Sequence, residues 1–210
     1  AYRHGDLSFA YPIARGATLL VLPLAGWLAF GERVGALGWG GVAAILAGIV
    51  VMQLPRLAVA ELRTLGARLG GAATLFALLQ AVLLALGTVW DKLAVRRVPL
   101  VAYFFAYTVG GGAVLLLLAL RADGPGALGA TWRAHRGAVI AVALLSVGSY
   151  GLVLLALRTG DSTYVTGVRQ LSIVFGVWLG ARVLGERVGP PRRVGVALLV
   201  VGALLLATGR

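Results

Sequence analysis

Two arginines lie inside long apolar segments of this chain, where a charged side chain is costly. Arg15 and Arg169 fall within the runs 7–30 and 163–181, which otherwise contain no Asp, Glu, Lys or Arg. An arginine at the centre of a membrane helix costs roughly 2.5–3.5 kcal/mol on insertion scales, so it usually faces a cavity or the bundle interior. We expect both to contact an anionic substrate group such as a carboxylate or phosphate. The alternative is a structural role, in which each arginine binds backbone carbonyls freed by a helix break.

Helix-breaking residues lie close to both arginines. Pro12, which has no backbone N–H, precedes Arg15, and Gly167 occupies the corresponding place before Arg169. We therefore predict helix breaks at Pro12 and Gly167, beside the site. Polar residues near the same level complete the predicted lining, although each alone more often serves packing: Tyr11, Tyr164, Gln80 and Tyr107.

Composition places the chain in lipid. It is 60% hydrophobic and 12% charged, with a mean hydropathy of +0.95, which is too apolar for a soluble domain of this length. The net charge is +12, but the basic residues sit between apolar runs, where they meet lipid headgroups. We therefore expect the lipid bilayer as a partner and no nucleic acid. The chain has no Cys, and its two histidines lie in predicted loops without further ligands at metal-binding spacing, so we expect no metal and no cofactor.

Apolar runs of membrane-spanning length set the predicted fold. A hydrocarbon core about 30 Å thick needs roughly 20 apolar residues in a helix. Seven such runs occur, at 7–30, 36–54, 69–90, 98–120, 137–157, 163–181 and 191–208. The sequence therefore predicts an all-α integral membrane protein with seven transmembrane helices. The stretch 121–136, which contains a Gly-Pro-Gly sequence, is predicted to be a loop, and 55–68 is predicted to be either a surface-lying amphipathic segment or a plain loop.

An internal repeat constrains the architecture further. The Gly-Glu-Arg sequence of 31–33 recurs at 185–187, and the glycines 41 and 48 recur as 195 and 202 at the same spacing. Five predicted spans separate the two Gly-Glu-Arg turns. Because five is odd, the turns lie on opposite sides of the membrane, and the repeat is inverted, as in many secondary transporters. We expect 1–54 to hold the last two helices of a first repeat, 55–68 to connect, and 69–210 to hold a complete second repeat of five helices.

These residues resemble the EamA branch of the drug/metabolite transporter superfamily over essentially the whole chain. The resemblance rests on the Gly-Asp helix starts at 5–6 and 160–161, the two Gly-Glu-Arg turns, and the stretches 11–16 and 168–175. It implies a ten-helix (5+5) secondary carrier, here lacking its first three helices, that moves a small metabolite across a bacterial inner membrane. It names no substrate and leaves a monomer or a homodimer open. The alternatives are a structural membrane protein, or a membrane-embedded enzyme whose active residues lie in the absent helices; we expect no enzyme.

The remaining charged residues receive structural interpretations. Glu32 and Glu186 each adjoin an arginine at the end of a span and are expected to anchor their turns. Asp6 and Asp161 are expected to cap helix N-termini. The pair formed by Asp91 and the following lysine is expected to lie at the membrane interface at a helix end.

Overall fold

The computed structural model describes residues 7–54, 72–183, 185 and 188–209, with backbone alone for 7–14 and 72–74. Within these ranges the chain is almost entirely helical and contains no strand. The predicted connector 55–68 lies outside the described residues. The helices are α1 (Leu7–Phe30), α2 (Ala36–Met52), α3 (Ala72–Arg97), α4 (Leu100–Thr159), α5 (Ser162–Arg169), α6 (Leu171–Val183) and α7 (Pro190–Thr208).

Three of these helices are long and apolar enough to cross a membrane. They are α3 from Leu75, α4 and α7, while α1 from Arg15 and α2 are apolar but shorter. Large apolar side chains such as Leu28, Val101 and Leu145 are exposed. Exposed apolar surface on this scale is unfavourable in water and suits contact with lipid. The all-α, membrane-spanning character predicted from composition is therefore confirmed.

Helix α4 differs from the prediction in part. The sequence predicts two spans joined by a loop over 121–136, and α4 does combine two helices that meet across a kink. The contact between the rings of Phe104 and Tyr150 shows that the chain reverses its direction between them. Helical dihedrals are lost inside α4 at Gly124 (φ 76°, ψ 165°), directly before Pro125, and at His135 (φ −132°, ψ 24°). Glycine accepts the positive φ, and proline cannot donate the helical hydrogen bond. The loop prediction for the whole stretch is wrong, because the residues between the two interruptions retain helical geometry.

The described residues form two compact units. The first contains the described residues up to Val89, which include α1, α2 and most of α3, together with those from Asp161 onward, which include α5 to α7. The second runs from Trp90 to Gly160 and contains the end of α3 and all of α4.

The closest helix pair of the first unit is α2 against α7. A Cβ added at Gly41 would lie 2.7 Å from the carbonyl oxygen of Gly202, and one added at Gly48 would lie 2.7 Å from that of Gly195. Those distances leave no room for a side chain, so the two backbones touch. Residue number rises along one helix as it falls along the other, so the helices run antiparallel. Apolar side chains of both helices flank the contact in the buried core: Val42, Ile45, Ile49, Leu199 and Leu206.

The glycines of this contact occupy equivalent positions of the internal sequence repeat. Gly41 corresponds to Gly195 and Gly48 corresponds to Gly202. If each residue of the contact between Gly41 and Gly202 is replaced by its counterpart in the other predicted repeat, the result is a contact between Gly195 and Gly48. That contact is also observed. Antiparallel α2 and α7 agree with repeats of opposite topology, and the inverted repeat itself stays a prediction.

Replacing Gly48 by alanine should destabilise the protein, because the new methyl group would overlap the Gly195 carbonyl. Overpacking of this kind costs about 1–3 kcal/mol, and we expect the midpoint of thermal unfolding in detergent to fall by several degrees. Gly176→Ala in α6 is the matched control, because a Cβ there meets no atom within 4 Å. The control should leave the midpoint unchanged or raise it, since alanine favours a helix. Equal shifts in both variants would contradict the backbone contact.

Candidate functional site

A cavity of about 90 Å³ in the first unit brings the two predicted arginines together. This exceeds the roughly 10–15 Å³ that one water needs, so a small polar group fits. The lining comes from α1, α3, α5 and the turn after α5: Arg15, Thr18, Leu84, Thr88, Thr166, Arg169 and Gln170. One arginine comes from each predicted repeat. The Thr18 and Thr88 hydroxyls already donate to backbone carbonyls, so the Thr166 hydroxyl and the Gln170 amide are the neutral groups that could donate to an oxyanion.

Arg15 of α1 contacts residues at the junction of α5 and α6. Its Nη1 donates to Ser172 Oγ at 2.8 Å and is 3.4 Å from the Gln170 Oε1 acceptor. Both of these acceptors are neutral side-chain oxygens. A guanidinium has five N–H donors and forms stronger hydrogen bonds with an anion than with neutral acceptors. The arginine is thus positioned by groups that an anionic ligand could outcompete.

The helix that carries Arg169 is interrupted one residue later. Helix α5 ends at Arg169, and α6 begins at Leu171. The Gln170 N–H donates to the Gly167 carbonyl at 3.0 Å, and the Ile173 N–H donates to the Gln170 carbonyl at 2.9 Å. These three-residue spacings are those of a 3₁₀ turn. The turn places Gln170 at the cavity.

The predicted helix breaks lie elsewhere. Gly167 is inside α5, and a Cβ added there would collide with Leu206 Cδ1. The absence of a side chain at Gly167 therefore allows α7 to pack closely against α5. The helix is interrupted at Gln170 instead. Helix α1 continues through Pro12, and the side chains of Pro12 and Tyr11 are outside the described part of the chain.

Two buried threonines of α5 have unused hydroxyl groups. Within the described residues, the Thr163 and Thr166 Oγ1 atoms have no hydrogen-bond partner. A buried hydroxyl without a partner costs about 1–3 kcal/mol. Thr166 lines the cavity, whereas Thr163 is completely buried and is not part of the lining. Only Thr166 is therefore placed where a ligand could supply the missing partner.

Glu32 fixes the start of α5 from the other repeat. Its Oε2 accepts the Ser162 N–H at 3.0 Å, and its Oε1 accepts the Ser162 hydroxyl at 3.2 Å. A carboxylate at a helix N-terminus is also favoured by the helix dipole. Gly31, which has a φ of 68°, ends α1 in the left-handed conformation that glycine favours at this position, so the chain turns and presents Glu32.

Asp161 occupies the N-cap position but makes no side-chain cap bond, so its predicted role as the cap is wrong. Glu186 and Asp6 lie outside the described residues.

Three other predicted lining residues, Tyr164, Gln80 and Tyr107, are not among the residues that line this cavity. The buried Tyr164 hydroxyl donates to the Gly209 carbonyl at 3.0 Å and accepts the Gly35 N–H at 3.4 Å, so it joins the α1–α2 turn to the end of α7. Gln80 is half-buried on α3. Tyr107 belongs to the second unit and is 52% exposed.

Sequence reasoning missed the setting of the pair Asp91 and Lys92. Lys92 is fully buried, and its Nζ donates to the Gly160 carbonyl at 2.7 Å. Asp91 accepts hydrogen bonds from two tyrosines of α4. Burial does not fix the depth of the pair in a membrane, so its interfacial placement stays a prediction. The expected position at a helix end is wrong, because α3 continues to Arg97. No local pattern could have indicated the contact of Lys92 with Gly160, because the partner carbonyl is remote in sequence.

Glu32→Ala should destabilise the fold by about 1–3 kcal/mol, because it leaves the Ser162 donors at the start of α5 without their charged acceptor. Thermal unfolding in detergent measures the effect. Arg33→Ala is the matched control, since Arg33 is the exposed neighbour in the same turn, and it should shift the midpoint by less than a quarter as much. Similar shifts for the two variants would count against the capping role of Glu32.

Comparisons with known proteins agree with this architecture. The sequence model of the EamA-like transporter family matches residues 71–208. An uncharacterized transporter of Synechocystis sp. is 26% identical over 90% of this chain and 59% of its own length. The spermidine export protein MdtI of Klebsiella pneumoniae is 41% identical, and that of Cronobacter sakazakii 37% identical, each over 23% of this chain and 45% of the relative.

The chain therefore spans 59% of the length of the Synechocystis relative and 45% of that of MdtI. No solved structure matches it. The family match covers more than half of the chain, from α3 through α7, and the relatives are named as transporters or exporters. The chain is a membrane protein that belongs to the EamA-like transporter family.

Proposed function

We propose that this chain is part of a secondary transporter for a small metabolite that carries an anionic group, bound between Arg15 and Arg169. The observation that carries the proposal is that guanidinium groups from equivalent positions of the two repeats line one cavity. Two cations at one site repel each other, and an anion between them relieves that repulsion. Substrate sites of inverted-repeat transporters lie at the interface between repeats, which is where this cavity lies.

The polar lining suits the oxygens of a carboxylate or phosphate. Thr166 contributes a hydroxyl without a partner, and Gln170 contributes an amide that can donate through its nitrogen. The Thr88 hydroxyl already donates to Leu84 O at 2.9 Å, so it can position a ligand only as an acceptor or by breaking that bond. The strongest ligand contacts are therefore those of Arg15, Arg169 and Thr166.

The contacts of Arg15 suggest how binding could be coupled to movement. Gln170 and Ser172, which Arg15 contacts, lie in the short interruption between α5 and α6. A ligand that binds the Arg15 guanidinium replaces its hydrogen bonds to Gln170 and Ser172. The turn at Gln170 can then adopt a second conformation. A ligand shifts a conformational equilibrium only through such differential contacts. We assign this turn as the element whose conformation changes during transport.

The spermidine exporters among the relatives carry a polycation. Arg15 and Arg169 would repel a polyamine at the distances that direct contact requires, so spermidine is not the substrate proposed for this cavity.

We further propose that the whole transporter has ten helices in two inverted repeats. In this arrangement 1–54 is the end of the first repeat, 55–68 is a connector and 69–210 is the second repeat. Placement in the bacterial inner membrane is part of the same proposal.

Arg169→Ala should weaken binding of the anionic ligand at least about tenfold, since a hydrogen bond to a charged group contributes about 1.5–3 kcal/mol. The measurement is a thermal-shift screen of the full-length protein against anionic metabolites, followed by titration of any hit, because a ligand that binds the folded state raises its stability. Arg182→Ala, an exposed arginine of α6, is the control and should bind as the wild type does. A hit that binds both variants equally well would contradict the proposal.

Thr166→Val and Thr163→Val form a matched pair that separates binding from stability. Both changes remove a buried hydroxyl without a partner, so each should raise the unfolding midpoint of the ligand-free protein. Thr166→Val should also weaken ligand binding several-fold, because only Thr166 lines the cavity. Thr163→Val should leave affinity unchanged. Loss of affinity in both variants, or in neither, would place the ligand elsewhere.

A further inference from the structure

A carboxylate in the second unit lies among aromatic rings that have no part in the arginine cavity. The Oδ1 atom of Asp91, on α3, accepts hydrogen bonds from the hydroxyls of Tyr103 at 2.7 Å and Tyr150 at 2.9 Å. Both donors belong to α4, one near its beginning and one near its end. Three distant segments of the chain thus converge on one oxygen atom.

The aromatic rings form a continuous group around this carboxylate. The rings of Tyr107 and Tyr150 stack with centroids 4.5 Å apart and planes 28° apart. Tyr103 lies 6.2 Å from Tyr107, and Phe104 lies 6.4 Å from Tyr150, measured between centroids. Tyr107 is 52% exposed, and the other three rings are half-buried. The group is therefore open to a ligand on one side. We call Asp91, Tyr103, Phe104, Tyr107 and Tyr150 the aromatic carboxylate cluster.

Half of the Asp91 carboxylate is unused. Both tyrosines donate to Oδ1, and no hydrogen bond or ion pair from a described residue reaches Oδ2. Two neutral hydroxyl groups position the negative charge without neutralising it. A carboxylate held in this way, in a chain whose surroundings are apolar, favours a cation nearby.

We propose that the aromatic carboxylate cluster is a binding site for a methylated ammonium group. A cation binds to the faces of aromatic rings through their negative quadrupole, and rings around a quaternary ammonium are the established form of that interaction. A quaternary ammonium has no N–H donor and needs no acceptor, so its methyl groups can pack against the ring faces while its charge lies near Asp91. None of the cluster's residues lines the arginine cavity, and the cluster's failure as a binding site would leave the proposed function intact.

A structural role is the alternative that the experiment must exclude. In that case Asp91 only accepts the hydrogen bonds that hold the two ends of α4 against α3. Its loss would then lower the stability of the protein without any effect on ligand binding. Asp91 therefore cannot be tested by stability alone. Tyr107 makes no hydrogen bond to Asp91 and presents its ring at the exposed side, so its replacement tests the site without removing the hydrogen bonds to Asp91.

The test is equilibrium binding of radiolabelled choline to the purified full-length protein in detergent. Wild-type protein should bind choline, and tetramethylammonium should displace it, whereas the uncharged isostere 3,3-dimethylbutan-1-ol should not. Asp91→Asn should weaken binding at least about tenfold, and Tyr107→Leu several-fold, as loss of a charge and of a ring face predicts. Asp123→Asn, an exposed carboxylate of the same unit, and Arg169→Ala should bind choline as the wild type does.

Three results would overturn the proposal. They are the absence of saturable choline binding to the wild-type protein, displacement by the neutral isostere as effectively as by tetramethylammonium, and unchanged affinity in Tyr107→Leu. Size-exclusion elution and the unfolding midpoint of each variant establish that it is folded. If Asp91→Asn does not fold, Tyr107→Leu decides the question.

Discussion

The direct contact between the backbones of α2 and α7 is the constraint on which the first unit depends. Glycines at 41, 48, 195 and 202 allow carbonyl oxygens of one helix to reach positions where the other would carry a Cβ. In lipid, where no hydrophobic effect drives helices together, such close packing is a main source of helix association. The contact also sets the geometry around it. Gly167 of α5 fits against Leu206 of α7, and Tyr164 joins the end of α7 to the α1–α2 turn.

Polar groups cross from one predicted repeat to the other at defined points on this apolar framework. Glu32, which follows α1, accepts hydrogen bonds at the start of α5, and Arg15 of α1 contacts Gln170 and Ser172, which follow α5. A charge removed from water needs such partners. The two ends of α5 are therefore fixed differently, because its beginning is held by a carboxylate and its end adjoins an interruption that contacts an arginine. This difference suits a helix whose end moves while its beginning stays in place.

The all-α character and the membrane setting follow from composition, because polar groups are costly in lipid. Arg15 and Arg169 line one cavity, while their role in binding stays a prediction. The repeat also indicated which glycines take part in the close contact between α2 and α7. Contacts that depend on distant residues could not be predicted, such as Glu32 with Ser162 and Lys92 with Gly160. The break at Gln170 was misplaced to Gly167, because a glycine in a helix serves either a turn or a close approach, and composition does not distinguish them. The helical geometry within 121–136 was missed, since turn-forming residues at one point were extended to the whole stretch.

The central claim is that arginines of the two repeats bind the same anionic group, and a double-mutant cycle tests it most directly. The affinity of one anionic ligand for the full-length protein is measured in wild type, Arg15→Ala, Arg169→Ala and the double variant. If both arginines hold one group, the losses in the single variants should sum to more than the loss in the double variant. The difference should be at least about 0.5 kcal/mol, the lower limit for residues that act together. Additive losses, or a loss in only one single variant, would contradict a shared site.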